Sequence, residues 1–420
     1  MLKSLMVRAV GPAPEMTIDF AERINVITGD NGLGKSFLLD VAWWALTRTW
    51  AGTPALPTDP SEAMIRYVIK GRKGSAEPVT SRYRAEEQEW PGEPKRPAMP
   101  GVVVYMRVDG GFSVWDPARN YWRKDRSDRP PAYHFDHQEV WDGLRINGVS
   151  VSEGLERDWV SWQKGREPQF LLLERVLQKL SPPDVALTPG PPKRVFLGEG
   201  FDRPTLLIGD AVVPVAIASA GIRRILALAY LLVWAWHEHR VAAALLGTEP
   251  DTRMALLIDE PETHLHPAWQ RRVIPAVVEA VRVLHEEHKS ATQILIATHS
   301  PLVLASLEPF FDIDRDALFH LRFEAGYAVL EPEPWAKQGD ASQWLVSDVF
   351  NMRQARSAEA EQAIEAAEAF MREDLHMLPE GLRTREQINA RLRTLLAPHD
   401  PFWARWLTRT EPALRVSARA

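Results

Sequence analysis

The chain has 420 residues, a net charge of −6 and no cysteine. That excludes a disulfide framework, a thiolate metal site and a cysteine nucleophile, and leaves no whole-chain basic field to attract nucleic acid. Hydrophobic residues at 45% and charged residues at 25% are those of a soluble globular protein long enough for two or three domains. The first residues lack the apolar run and cleavage site of a signal peptide. The longest apolar stretch, residues 225–236, is too short to span a bilayer, so no membrane partner is expected.

In chain order, residues 1–28 alternate apolar and polar and predict two or three strands, the last at 24–28. Gly29-Asp30-Asn31-Gly32-Leu33-Gly34-Lys35-Ser36 follows, and a helix is predicted over 35–50. Stretches 51–60 and 87–101, rich in proline and glycine, bracket a short strand at 63–69. Strands are predicted at 102–105 and 112–115. Residues 116–137 are polar, with Arg119, Arg123, Lys124, Arg126 and Arg129 around Tyr121 and Trp122. Such a cluster suits a nucleic-acid backbone, although Asp125 and Asp128 dilute it and a solvated loop is the alternative. A helix is predicted over 155–180, then a proline-marked loop at 182–192. Strands follow at 195–197 and 206–217, the latter turning at Gly209-Asp210. Next come a helix at 221–240, an apolar strand at 252–258, a helix at 267–288 and a strand at 293–297. A helix at 355–375 and a polar helical tail close the chain. There is no internal repeat and no long heptad segment.

The glycine-rich stretch fits G-x-x-x-x-G-K-[ST] between a strand and a helix, the context a phosphate-binding loop requires. Glycines let backbone N–H groups turn inward around a phosphate, and the helix N-terminus adds positive potential there. Lys35 is expected to reach the β- and γ-phosphates and Ser36 to bind Mg²⁺. The apolar strand at 252–258 is tipped by Asp259 and Glu260. Asp259 is expected to hold the Mg²⁺ shell and Glu260 to deprotonate the attacking water. Ser219 and Gly221, in Ala218-Ser219-Ala220-Gly221-Ile222, open a helix and can offer a hydroxyl and N–H groups to an anion; an ordinary helix cap is the plainer reading. His299, at the end of the 293–297 strand, is placed to contact a γ-phosphate.

With these elements in order, the chain resembles an ABC-type ATPase head. It is similar to the overcoming-lysogenization-defect (OLD) class and related bacterial anti-phage ATPases. The resemblance rests on Gly29 to Ser36, on Ser219-Ala220-Gly221, on Asp259-Glu260-Pro261-Glu262-Thr263-His264-Leu265-His266-Pro267 as acidic strand end and D-loop, and on Thr298-His299-Ser300-Pro301 as switch. It covers 1–50 and 195–310 most strongly. It implies ATP and Mg²⁺ as cofactors and a homodimer or higher homo-oligomer. In such a dimer the signature, Ser219 and Gly221, closes on ATP held by the other subunit's phosphate loop. Gln138 is the candidate Mg²⁺-sensing glutamine, with Gln163 as its competitor. Ala220 and Ile222 depart from the transporter signature, which favours the non-transporter branch.

The expected fold is α/β: a P-loop NTPase head of ABC type with a mixed central sheet and an N-terminal antiparallel sheet. The head is expected from 1–50 and 195–334, with an inserted α+β subdomain over 51–194 and a helical appendage over 335–420. The expected function is Mg²⁺-dependent ATP hydrolysis coupled to dimer closure in the cytoplasm. The resemblance implies an anti-phage regulator acting on a separately encoded effector, possibly a nuclease. The alternatives are a DNA-repair ATPase that binds DNA directly, a slow-hydrolysing ATP-gated scaffold, and an ATP-dependent nuclease with an unrecognised metal site. A Toprim nuclease is not expected, since Asp312 and Asp314 read as a loop and residues 335–420 are too helical. A metal cluster of Glu262, His264 and His266 is the weaker reading of that segment, beside dimer contacts.

Overall fold

The computed structural model describes residues 1–71, 77–92, 99–120, 129–182, 185–285 and 291–410. Tyr121, Trp122, Arg123, Lys124 and Arg126 of the basic cluster lie outside them. Chain contacts divide the molecule into two units, Met1–Trp344 and Leu345–Ala420.

The first unit opens with β1 (Leu2–Arg8), β2 (Glu15–Asp19) and β3 (Ile24–Gly29), followed by α1 (Lys35–Thr47). Next come β4 (Met64–Ile69), β5 (Pro78–Arg82), β6 (Val102–Met106), β7 (Phe112–Trp115), β8 (Tyr133–Phe135) and α2 (His137–Asp142). A small hairpin, β9 (Leu144–Ile146) and β10 (Val149–Ser152), leads into α3 (Leu155–Gly165) and α4 (Pro168–Leu180). Strands β11 (Thr188–Lys193), β12 (Arg203–Ile208) and β13 (Ala211–Pro214) precede the long α5 (Ala220–Leu245). Then follow β14 (Met254–Asp259), α6 (Pro267–Gln270), α7 (Val273–Leu284), β15 (Thr292–Ala297), α8 (Pro301–Leu307), β16 (Ala317–Glu324), β17 (Tyr327–Glu333) and α9 (Ala341–Val346).

The main sheet has the order β17-β16-β3-β15-β14-β6-β7-β8. Its five central strands, β16 to β6, are parallel, and β17 and β7 pair antiparallel at the flanks. β3 and β14 are buried at every residue, as expected for parallel strands covered on both faces. A second, antiparallel sheet has the order β2-β1-β4-β5. The largely buried α1 lies between the sheets, touching β1 on one side and β3, β6, β14 and β15 on the other. On the opposite face α4, α5 and α7 pack against one another.

The sequence expectations differ from this architecture in several places. Residues 51–194 do not separate from the head sheets: β4 and β5 extend the sheet of β1, and β6 pairs directly with β14. Alternating apolar strands far apart in sequence find their partners by tertiary pairing, which periodicity cannot show. The helix expected over 155–180 breaks at Arg166, which adopts φ 52, because Pro168 disfavours helical geometry before it. The helix expected over 267–288 breaks after Gln270, since Pro275 has no N–H for the carbonyl of Arg271. The proline-marked stretch 182–192 contains β11, an edge strand, where proline is tolerated. Residues 195–197 consequently fall in the connection to β12. The hairpin β16–β17 has no counterpart among the expectations. In the second unit α10 (Ala358–Met371), α11 (Arg385–Leu395) and α12 (Phe402–Thr410) enclose a core of Ile364, Leu392 and the fully buried Trp406.

Candidate functional site

The phosphate loop leaves the C-terminal end of β3, and β14 and β15 end beside it. Register pairs Ala297 with both Ile27 and Asp259, so the ends of all three strands meet at one edge. Gly29 has φ 137, and a Cβ there would lie 2.1 Å from the Leu321 carbonyl oxygen on β16. Only glycine permits both that backbone angle and that close approach. The loop carries Lys35 at the first position of α1, nearly buried. Its ammonium donates to the carbonyls of Gly29 at 2.8 Å and Asp30 at 2.7 Å. Burial pushes its pKa down to about 8, with Glu260 the strongest opposing charge.

The Ser36 side chain lies beside the Asp259 carboxylate and favours its charged form. Burial outweighs this and pushes that carboxyl up to about 6. Asp259 Oδ1 is buried without a hydrogen-bond partner. An orphaned carboxylate oxygen beside a serine hydroxyl suits a hard divalent cation, which takes oxygen ligands. Among the described residues there is no group of three His, Cys, Asp or Glu side chains that could hold a metal. One carboxylate, one hydroxyl and phosphate oxygens are nevertheless the ligand set Mg²⁺ accepts, since it keeps several waters.

Glu260 follows with φ 46, a left-handed conformation costly for a side chain of its size and characteristic of functional sites. Thr263 Oγ1 donates to its Oε2 at 3.2 Å, and His299 Nε2 lies 3.6 Å from its Oε1. Burial, then the charge of Lys35, hold the His299 pKa below its usual value, so the ring is neutral at pH 7. Glu262 fixes the switch: its Oε1 accepts from Thr298 Oγ1 and from the His299 N–H, both at 2.8 Å.

Ser219 caps α5, accepting from the Ile222 N–H at 3.4 Å, and is exposed. Gly221 is buried against the D-loop, where a Cβ would meet the His264 carbonyl oxygen at 2.7 Å. Sequence reasoning named the Arg223-Arg224 pair but did not assign Arg224, one turn on, its contacts. Its Nη2 donates to the carbonyls of Asp259 at 3.1 Å and Glu260 at 3.2 Å, and its Nη1 to that of Val108 at 3.3 Å. It ties the signature helix to the acidic strand end. The adjacent Arg223-Arg224 pair was visible in the sequence, but which of the two turns inward depends on how α5 packs. Asp40 was also missed. One helical turn after Ser36, it accepts from Tyr105 Oη at 3.1 Å and has its carboxyl pushed up to about 6 by burial.

Gln138 is not brought to Ser36 and Asp259. It is exposed on α2, its amide donating to Asp142 at 3.1 Å, and α2 follows β8, three strand positions from β14. At about 4.8 Å per strand that offset is roughly 14 Å. Residues 107–109 follow β6, the strand beside β14, and occupy the nearer position. Gln163 donates to the Gly190 carbonyl at 2.9 Å and serves packing. Glu262, His264 and His266 do not converge: Glu262 holds the switch, His264 is exposed, and His266 caps α6. Asp312 accepts from the Asp314 N–H in a turn, as expected of a loop.

This architecture and site define an α/β P-loop nucleotide-binding fold. The family described as an AAA domain, putative AbiEii toxin, Type IV TA system, matches residues 209–305, from the end of β12 through the switch. Among solved structures, the SMC head domain from Thermotoga maritima aligns at 15% identity and TM-score 0.40, covering 80% of this chain and 99% of that one. An SMC head bound to the C-winged helix domain of ScpA aligns at 14% identity and TM-score 0.43, covering 80% and 98%. The recombination mediator RecF with bound ATP aligns at 12% identity and TM-score 0.38, covering 79% and 97%. No curated protein matches the chain. Among the described residues no helix is long and apolar enough to cross a membrane.

Proposed function

We propose that this chain binds ATP with Mg²⁺ at Gly29 to Ser36 and hydrolyses it, two copies closing head to tail around the nucleotide. The observation that carries the reading is the orphaned Asp259 oxygen beside Ser36, at the strand edge where Lys35, Glu260 and His299 also converge. Lys35 exchanges its loop carbonyls for phosphate oxygens. Ser36 and Asp259 hold Mg²⁺, which when bound neutralises charge on the β- and γ-phosphates. Glu260, aimed by Thr263 and by its strained backbone, accepts the proton of the attacking water. Neutral His299, held by Glu262, can donate a hydrogen bond to the transferred phosphoryl group. Ser219, exposed at the start of α5, is available to a second subunit. By the resemblance of its motifs, we further assign the chain to OLD-like anti-phage regulation of a separately encoded effector. The toxin–antitoxin description of the matching family supports a defence setting.

Glu260→Gln keeps the side chain's shape and removes the base. Turnover should fall by about 10²–10⁴-fold, while ATP still binds and a closed dimer accumulates. Light scattering with ATP and Mg²⁺ reads the mass. A variant that holds ATP but stays at the nucleotide-free mass would falsify the closure mechanism.

A further inference from the structure

At the edge of the main sheet opposite the phosphate loop lies a cavity of about 480 Å³. Its wall includes Arg23, Arg253 and Thr292, at the N-terminal ends of β3, β14 and β15, with Lys3, Lys70, Arg282 and Arg315 around them. Strands of six residues at about 3.3 Å each put it roughly 20 Å from the nucleotide site. The positive charge there is only partly compensated. Arg23 pairs with Asp316 and Arg282 with Glu279. Lys3 and Lys70 share the single carboxylate of Glu22, at 3.6 and 3.9 Å. Arg315 is exposed, and among the described residues no carboxylate pairs with it. Arg253 binds Asp251 through Nε and Nη2, while its Nη1 is buried without a partner. A buried donor left unmade is costly, and an anionic oxygen is the natural acceptor for a guanidinium. Val278, Val281 and Ile294 supply an apolar side to the same cavity.

We propose that this cavity binds a phosphate monoester carried on a small ring body: a nucleoside monophosphate, either free or as the 5′ end of a nucleic-acid strand. Arg253, Lys3, Lys70 and Arg315 take the phosphate, and the aliphatic side packs the ring. The volume falls within the range of about 300–1,000 Å³ typical of small-ligand sites. The site is separate from the phosphate loop and does not depend on hydrolysis there.

The test uses the full chain carrying Lys35→Ala, so that binding at the phosphate loop is suppressed. Titration calorimetry with AMP should show saturable binding, one per chain. Adding Lys70→Glu and Arg315→Glu should weaken it about tenfold or more, since attraction becomes repulsion. Lys193→Glu, an exposed reversal on β11, should leave it unchanged. Thermal unfolding of each variant checks the fold, and Lys70→Gln with Arg315→Gln replaces the reversal if it lowers the midpoint. A short single strand with a 5′-phosphate, compared with its 5′-hydroxyl twin, identifies the source. Cavity-dependent binding of AMP alone supports free nucleotide; cavity-dependent preference for the 5′-phosphorylated strand supports a strand end. The proposal is overturned if neither AMP nor the phosphorylated strand binds saturably at millimolar concentration, or if binding is indifferent to both pairs of changes.

Discussion

Burial holds the Asp259 carboxyl at about 6, against 3.8 for an unperturbed aspartate. The nucleotide-free fold therefore binds a proton there more tightly than the unfolded chain does. The resulting destabilisation is present in full above about pH 6 and vanishes as pH falls below the unfolded value. That rise corresponds to on the order of 2–3 kcal/mol at neutral pH. Asp259→Asn, uncharged at any pH, should therefore unfold at a higher temperature than the wild type near neutral pH without nucleotide. The gap should narrow as pH is lowered toward 5, while ATP hydrolysis is lost. A variant no more stable than the wild type at neutral pH would count against a buried, ionised Asp259. A divalent cation held by Asp259 would offset that cost. Lys35 and Ser36 were legible in the sequence because a contiguous motif dictates them. Asp40 and Glu262 were not recognised in these roles, because their partners, Tyr105 and His299, lie 65 and 37 residues away.

Strand β3 shows what a single element must satisfy. Its last residue pairs with Leu321 of β16 so closely that no side chain fits. Gly29→Ala should cost at least about 2 kcal/mol, because a Cβ meets backbone and the φ of 137 is strained for alanine. Urea unfolding gives the loss, and nucleotide affinity should fall with it because the phosphate loop starts there. Wild-type stability in this variant would show that β16 does not pack against the loop as described. Helix α5 carries the equivalent constraint at Gly221, against the D-loop carbonyl. The strands around these sites were readable from alternation and apolar runs. The helix breaks at Arg166 and after Gln270 were not read, although Pro168 and Pro275 announce them.

At the scale of the molecule, the composite-site mechanism predicts contact between subunits. An ATP photoprobe bound at the phosphate loop of one subunit should label residues 219–223 of the other. A heterodimer with one isotopically labelled chain separates the two cases by peptide mass. Labelling confined to the same chain, in a dimer confirmed by mass, would sink the shared-site mechanism. The second unit has its own core around Trp406, which is fully buried. Trp406→Ala should destabilise that unit by about 3–5 kcal/mol, read in calorimetry as a lowered transition. A transition at the wild-type temperature would mean that Trp406 does not hold the core of 345–420.

Gly29 to Ser36, the Asp259–Glu260 strand end and His299 were picked out by the sequence alone, and the fold brings them to one strand edge. Each is a short motif whose chemistry depends on neighbouring residues and on the local strand or helix around it. The tertiary structure decided which strands are neighbours. It joined β6 to β14 and thereby moved the position beside Asp259 from Gln138 to residues 107–109. It drew β4 and β5 out of an expected insertion into the N-terminal sheet. It turned Arg224 toward the carbonyls of Asp259 and Glu260, and it gathered Lys3, Lys70, Arg253 and Arg315 around one cavity. Strand pairing and charge clustering join residues separated by tens to hundreds of positions, and local pattern carries no record of such distances.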